Sequence, residues 1–219
     1  MIEVSTSILS VKKEQATKTF YNLEVAKTDY FHIDVMDGEF VPNNTEKLMK
    51  EYATIIKHIS NLPLDVHLMV QNPKKYILEY LELQPNIITI HKESVQKEKE
   101  LLELISLIKE NNIKAGVSVK PDTPIEEIYS ILPYIHVVLI MTVEPGKGGQ
   151  KLIPETIEKI KKLNKYIEQN QLEIDIEVDG GINTQNVEQL KNAGANIIVS
   201  GTAIISANNY QNTIKELKH

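Results

Sequence analysis

The 219-residue chain contains no cysteine and no arginine. Without cysteine there is no disulfide framework and no thiolate chemistry, so thiols say nothing about the redox compartment. All 24 basic residues are lysine. Any phosphate must therefore be held without the bidentate guanidinium fork, by backbone N–H groups, hydroxyls or lysine. No apolar run approaches the roughly 20 residues that span a bilayer. The segment Met1-Ile2-Glu3-Val4 lacks the basic-then-apolar layout of a secretory leader, so the expectation is a cytoplasmic protein. A net charge of −6 argues against nucleic acid or an anionic membrane as partner. What is present is an ordinary globular composition, 42% hydrophobic and 25% charged, in a chain long enough for one substantial core.

Short apolar segments alternate with longer amphipathic ones from end to end. The pattern predicts strands at 3–9, 30–34, 64–68, 87–91, 114–119, 137–141, 173–178 and 197–200. Helical patterns fall between them at 13–27, 46–60, 74–83, 97–110, 125–132, 154–169, 184–193 and 210–217. Thr45 and Thr184 stand where N-caps belong, Pro154 suits a first helical turn, and Gly194 suits the left-handed position after a helix. Eight strands alternating with eight helices, without a linker or low-complexity break, predict a (β/α)8 barrel as one domain over residues 1–219. An open doubly wound sheet is the competing layout, but the first βα turn lacks a Gly-x-Gly-x-x-Gly fingerprint.

In such a barrel the active site lies at the C-terminal ends of the strands. Residues 32–38 read His-Ile-Asp-Val-Met-Asp-Gly at the end of an apolar run. His32 and Asp34, two apart on a strand, project from one face, and a buried imidazole and carboxylate are costly unless paired. His67 ends the third strand, with Asp65 one layer deeper on the same face, and Asp179 ends the seventh. Two imidazoles and two carboxylates form an N2O2 set for one divalent transition metal, Zn²⁺, Fe²⁺, Co²⁺ or Mn²⁺. Mg²⁺ and Ca²⁺ prefer all-oxygen shells. Each of the four, taken singly, also reads as a hydrogen-bonded core residue; their shared position favours the metal. His91 and Glu93, ending the fourth strand, admit either a contact near the site or a structural role. His58, His136 and His219 carry no functional expectation.

Glycine-rich turns follow the last three strands: Glu-Pro-Gly-Lys-Gly-Gly-Gln (144–150), Gly180-Gly181, and Gly201-Thr202. Tight turns need glycine in any case, but glycine also lets backbone N–H groups approach an anion closely. Clustered late in the barrel, Gly146, Lys147, Gly148, Gly149, Gly180, Gly181, Gly201 and Thr202 form a candidate phosphate site that answers the missing arginine. Met36, Met69 and Met141 serve either as core filling or as a polarisable lining beside a reactive intermediate.

These segments together resemble the ribulose-phosphate 3-epimerase family over nearly the whole chain. The matching pieces are Ser-Ile-Leu-Ser (7–10), His-Ile-Asp-Val-Met-Asp-Gly-Glu-Phe-Val-Pro-Asn (32–43) and Asp-Val-His-Leu-Met-Val (65–70). They continue with Ala-Gly-Val-Ser-Val-Lys-Pro-Asp-Thr-Pro (115–124), Met-Thr-Val-Glu-Pro-Gly-Lys-Gly-Gly-Gln (141–150) and Glu-Val-Asp-Gly-Gly-Ile (177–182). The resemblance implies one divalent metal on His32, Asp34, His67 and Asp179, and no organic cofactor. It implies Asp34 and Asp179 as the acid/base pair, Ser7 and His67 in contact with a sugar-phosphate substrate, and a homo-oligomer. Inverting C3 of a 2-ketose phosphate removes a proton α to the carbonyl and returns one to the opposite face. The enediolate between the two steps needs positive charge nearby, and two opposed carboxylates can alternate as base and acid. One oxygen of each metal-bound carboxylate is expected to stay free for the proton.

The chain departs from the family pattern at Thr6, where proline is usual, at Lys147, where phenylalanine is usual, and at Ser200-Gly201-Thr202, commonly Ala-Gly-Ser. No ligand or acid/base residue is lost. The family reading centres on D-ribulose 5-phosphate and D-xylulose 5-phosphate, in the pentose phosphate pathway. D-allulose 6-phosphate 3-epimerases share the metal site and form an alternative. Two other readings are a decarboxylase or aldolase of related architecture, which would place a lysine among the barrel-end acids, and a non-catalytic sugar-phosphate-binding barrel.

Overall fold

Runs rich in isoleucine, valine and leucine form the strands, and the computed structural model, which describes residues 2–219, closes them into one barrel. The strands are β1 (Glu3–Ser7), β2 (Tyr30–Met36), β3 (Leu64–Met69), β4 (Ile87–His91), β5 (Lys114–Val119), β6 (Val137–Met141), β7 (Asp175–Asp179) and β8 (Ile197–Ser200). All pairings are parallel and follow chain order, with β8 returning to β1 through Glu3–Ile197 to Thr6–Ser200. The helices are α1 (Ala16–Val25), α2 (Glu46–Ile59), α3 (Pro73–Leu81), α4 (Glu98–Glu110), α5 (Thr156–Gln169), α6 (Val187–Ala193), α7 (Thr202–Ile205) and α8 (Tyr210–Lys218). The predicted (β/α)8 barrel is the observed fold.

The differences have local causes. Residues 125–132 do not form an α-helix but two 3-10 turns, Ile125–Ile128 and Leu132–Tyr134. Pro133 lacks an N–H and disfavours the helical region for the residue before it, so the apolar periodicity there cannot be extended into a helix. The helix expected from Thr184 begins at Val187. Before it, Asn183 Oδ1 accepts from Gln185 N and Asn186 Oδ1 accepts from Asn183 N, a side-chain turn that delays the helix. Pro154 precedes α5 in a lead-in turn, where Ile157 N donates to its carbonyl. Thr45 makes no side-chain cap for α2, because its hydroxyl is engaged by β2. Gly194 does adopt the left-handed conformation, φ 114°. The short α7 was not anticipated.

Strand side chains divide by alternation. On β2, Phe31, Ile33 and Val35 face the helices and join the main core, where Phe20 of α1 packs edge-on between Phe31 and Tyr52. Burying each such large apolar side chain contributes about 1.5–3 kcal/mol. Tyr30, His32, Asp34 and Met36 face the barrel axis instead. Tyr30 joins Ile87, Val137 and Ile197, one from each even-numbered strand, in a small separate cluster that plugs the base. The next layer comes from odd-numbered strands and is polar: Ser5, Asp65 and Glu177, all fully buried, with Gly116 leaving space that Thr89 occupies. The barrel is therefore dry and apolar below, and increasingly polar toward its C-terminal mouth.

Candidate active site

His32 and Asp34 on β2, His67 on β3 and Asp179 on β7 converge at that mouth. One ligand atom from each lies within 4.8 Å of the others. His32 Nε2 is 3.5 Å from Asp34 Oδ1, and His67 Nδ1 is 3.7 Å from Asp34 Oδ1 and 3.8 Å from Asp179 Oδ2. Ligands sharing an ion at about 2.0–2.2 Å are separated by distances of this size. His32 Nε2 and His67 Nδ1 are fully buried and have no hydrogen-bond partner. Two orphaned imidazole nitrogens facing two carboxylates are what a metal centre requires, and the donor set fits a borderline transition ion.

The far nitrogens of both imidazoles are tied down. His32 Nδ1–H donates to Asp65 Oδ2 at 2.6 Å, an oxygen that also accepts from Ser5 Oγ at 2.7 Å. His67 Nε2 lies 2.9 Å from His91 Nε2, and His91 Nδ1 lies 3.1 Å from Glu93 Oε2. Such supporting bonds fix ring orientation and tautomer. Glu177 sits below His32 with no exposure to solvent. Burial and the neighbouring Asp65 charge push its pKa well up.

The charges in the cluster pull against each other. Burial opposes ionisation of His32, yet Asp65 and Asp34 on either side outweigh it and raise its pKa well above the usual value. Burial also opposes ionisation of Asp34, but His32 and His67 hold it below the ordinary carboxylate range. His67 is lowered, chiefly by burial. Asp179 is pushed up to about 7 by burial and by the Asp34 carboxylate. A second positive charge among these four would relieve that conflict.

Above the cluster opens a cavity of about 640 Å³. Asp34 and Asp179 reach its wall, as do Ser7, Met36, Met69 and Met141, while His32 and His67 lie behind them with no exposure. Ser7 Oγ donates to Asp34 Oδ2 at 2.6 Å. The second oxygen of Asp34 is thus hydrogen-bonded rather than free, a correction to the expectation from sequence. The methionines are almost fully buried yet line the cavity, Met36 and Met69 packing with Val41 and Phe40, and Met141 with Leu139 and Val143.

The glycine turns also line the cavity: Gly146, Lys147, Gly148 and Gly149 after β6, Gly180 and Gly181 after β7, Gly201 and Thr202 after β8. Their glycines answer to two demands. A side chain on Gly181 (φ 68°) would collide with the backbone of Gln150–Leu152, whereas one on Gly149 (φ 73°) would meet nothing within 4 Å. Gly181 is therefore required by packing, while Gly149 leaves open space beside the cavity.

Three groups escaped sequence reasoning. Thr142 holds the backbone at the β7 end, its N–H donating to Asp179 O at 2.7 Å and its hydroxyl to Gly180 O at 2.6 Å. Asn43 Nδ2 donates to Gly146 O at 2.6 Å, joining the loop after β2 to the glycine turn after β6. Glu177 does carry a sequence signal, since it stands two residues before Asp179 on the same strand face.

Fold and site together define a (β/α)8 barrel with a two-histidine, two-aspartate cluster facing a glycine-walled cavity. The ribulose-phosphate 3 epimerase family model matches residues 3–205, and the chain belongs to that family. Ribulose-phosphate 3-epimerase of Bacillus subtilis is 37% identical over 219 residues, covering 100% of this chain and 99% of that one. The protein of that name from Methanocaldococcus jannaschii is 38% identical over 218 residues, covering 100% and 90%. Among solved structures, 3-keto-L-gulonate-6-phosphate decarboxylase from Vibrio cholerae superposes with a TM-score of 0.74 over 99% of this chain and 95% of that one. At 10% identity that likeness concerns the fold alone.

Proposed function

We propose that the protein is a metal-dependent epimerase that interconverts D-ribulose 5-phosphate and D-xylulose 5-phosphate by inverting C3. The observation that carries the proposal is the convergence of four ligand atoms within 4.8 Å, with the two carboxylates alone among them reaching the cavity. His32, Asp34, His67 and Asp179 would hold one divalent transition metal. The ion supplies Lewis-acid stabilisation of the negative charge that develops on the ketose oxygens when C3 loses its proton.

The chain's own residues do the rest. Asp34 and Asp179 stand on different strands and approach the cavity from separate sides, so each serves one face of the enediolate as base or acid. Ser7, hydrogen-bonded to Asp34 Oδ2, orients that carboxylate. Met36, Met69 and Met141 exclude water above the reacting carbon with soft, uncharged surface. The glycine turns hold the phosphate through backbone N–H groups, with Lys147 adding charge at the rim. Family membership and the relatives named ribulose-phosphate 3-epimerase support this substrate over a longer ketose phosphate.

Incubation of the metal-loaded protein with ribulose 5-phosphate in deuterated water tests the proposal. The expected result is xylulose 5-phosphate carrying deuterium at C3. Asp34→Asn and Asp179→Asn should each lower kcat by about 10²–10⁴-fold, the usual contribution of a positioned acid or base. Full turnover by either variant would overturn the mechanism.

A further inference from the structure

The two histidines of the cluster are supported differently. His32 is backed directly by a carboxylate, whereas His67 is backed by a second imidazole. That imidazole, His91 on β4, is fully buried and stacks on His67 with ring centroids 5.0 Å apart and planes 28° from parallel. Behind it stands Glu93. Its Oε1 accepts from Lys120 N at 2.8 Å and from the Thr123 hydroxyl, which leaves Oε2 to face His91 Nδ1 at 3.1 Å. Phe40 packs on the His91 ring, with centroids 4.9 Å apart.

From these contacts we infer that His91 and Glu93 are positioning residues that set the tautomer of His67 and so present its Nδ1 lone pair to the metal. The inference rests on the metal-centre reading above. Ionised Glu93 can only accept, so His91 carries its proton on Nδ1 and has a lone pair on Nε2. That lone pair accepts from His67, whose proton must then lie on Nε2. The remaining nitrogen, Nδ1, is the one that faces Asp34 and Asp179 without a hydrogen bond of its own. Burial favours the neutral form of His67 and His91, and His91 is held low, at about 4.

Glu93 can be changed so that the chain of donors runs backward. In Glu93→Gln the amide oxygen is claimed by Lys120 N–H and Thr123, so the NH2 group faces His91 Nδ1. His91 must then carry its proton on Nε2, and His67 must move its own to Nδ1, where it blocks the metal. Nitrogen-15 shifts of the His67 ring in the metal-free protein report this directly. The expected result is Nε2–H in the wild type and Nδ1–H in Glu93→Gln. Competition with a chelator should show the Co²⁺ Kd raised about 10–100-fold, the usual effect of losing a ligand's hydrogen-bond partner. His91→Phe, which removes the acceptor and keeps a ring, should weaken Co²⁺ binding similarly. A role confined to folding would lower the thermal midpoint and leave both the tautomer and the Kd of the folded protein unchanged, which would overturn the inference. So would a wild-type His67 protonated on Nδ1. If the wild type bound no Co²⁺ at all, the metal-centre reading would fall, while the tautomers of the metal-free protein would still decide the relay.

Discussion

Thr45 shows how one residue can serve a purpose that its local sequence conceals. It occupies the N-cap position of α2, but its hydroxyl donates to Asp34 O at 2.6 Å and accepts from Met36 N at 2.9 Å. It thus secures the strand end that carries the candidate base. Thr45→Val should cost about 1–2 kcal/mol, the penalty for leaving backbone groups unpaired, read as a shift in the urea midpoint. The glycines separate in the same way. Gly181→Ala forces a side chain against fixed backbone in a left-handed conformation and should destabilise by about 2 kcal/mol or more. Gly149→Ala, in open space, should cost about 1 kcal/mol and show itself instead as a raised KM for the sugar phosphate. Denaturant titration and steady-state kinetics on the pair would separate scaffold from ligand contact. Sequence exposed His32, Asp34, His67 and Asp179 because each interrupts an apolar strand with a group that burial penalises. It hid Thr142 and Asn43, whose bonds join turns more than 35 residues apart in the chain.

At the level of elements, strands were the readable part. Seven of the eight begin at the residue where the apolar run begins; β7 does not, because Glu173 and Ile174 precede the ladder that Asp175 opens. Amphipathic periodicity was equally informative for α2, α4 and α5, and it misled where proline or asparagine chemistry intervened, at 125–132 and 184–186. The edge between β5 and β6 contains a titratable joint. His136 Nδ1 accepts from Ala115 N at 3.2 Å, and its pKa is lowered by burial and by Lys109 and Lys114. A histidine depressed in the folded state contributes stability that is full above its unfolded pKa of about 6.5. That contribution declines as pH falls below this value, because the unfolded chain takes up the proton first. His136→Asn keeps an acceptor for Ala115 but cannot titrate. Its thermal midpoint should fall less between pH 7.5 and 5 than that of the wild type.

For the molecule as a whole, a protein of net charge −6 must receive a dianionic substrate without arginine. Among the described residues of the cavity wall, Lys147 alone carries positive charge, against Asp34, Glu144 and Asp179. Lys147→Ala should raise KM for ribulose 5-phosphate about fivefold, the worth of roughly 1 kcal/mol for an exposed pair, with kcat within about twofold. The wild-type KM should rise with added salt more steeply than that of the variant. Among the described residues no helix is long and apolar enough to cross a membrane. The closure of the barrel bears on its birth. Strand β1 acquires its second neighbour only when β8 arrives, and Gly201 then comes close enough to Ser7 that an added methyl would sit 3.0 Å from its Cβ. Until β8 docks, β1 and β7 each present an open ladder edge, the geometry most prone to pairing with another chain. His32, Asp34, His67 and Asp179 are thus all present in the chain before the barrel that gathers them is closed.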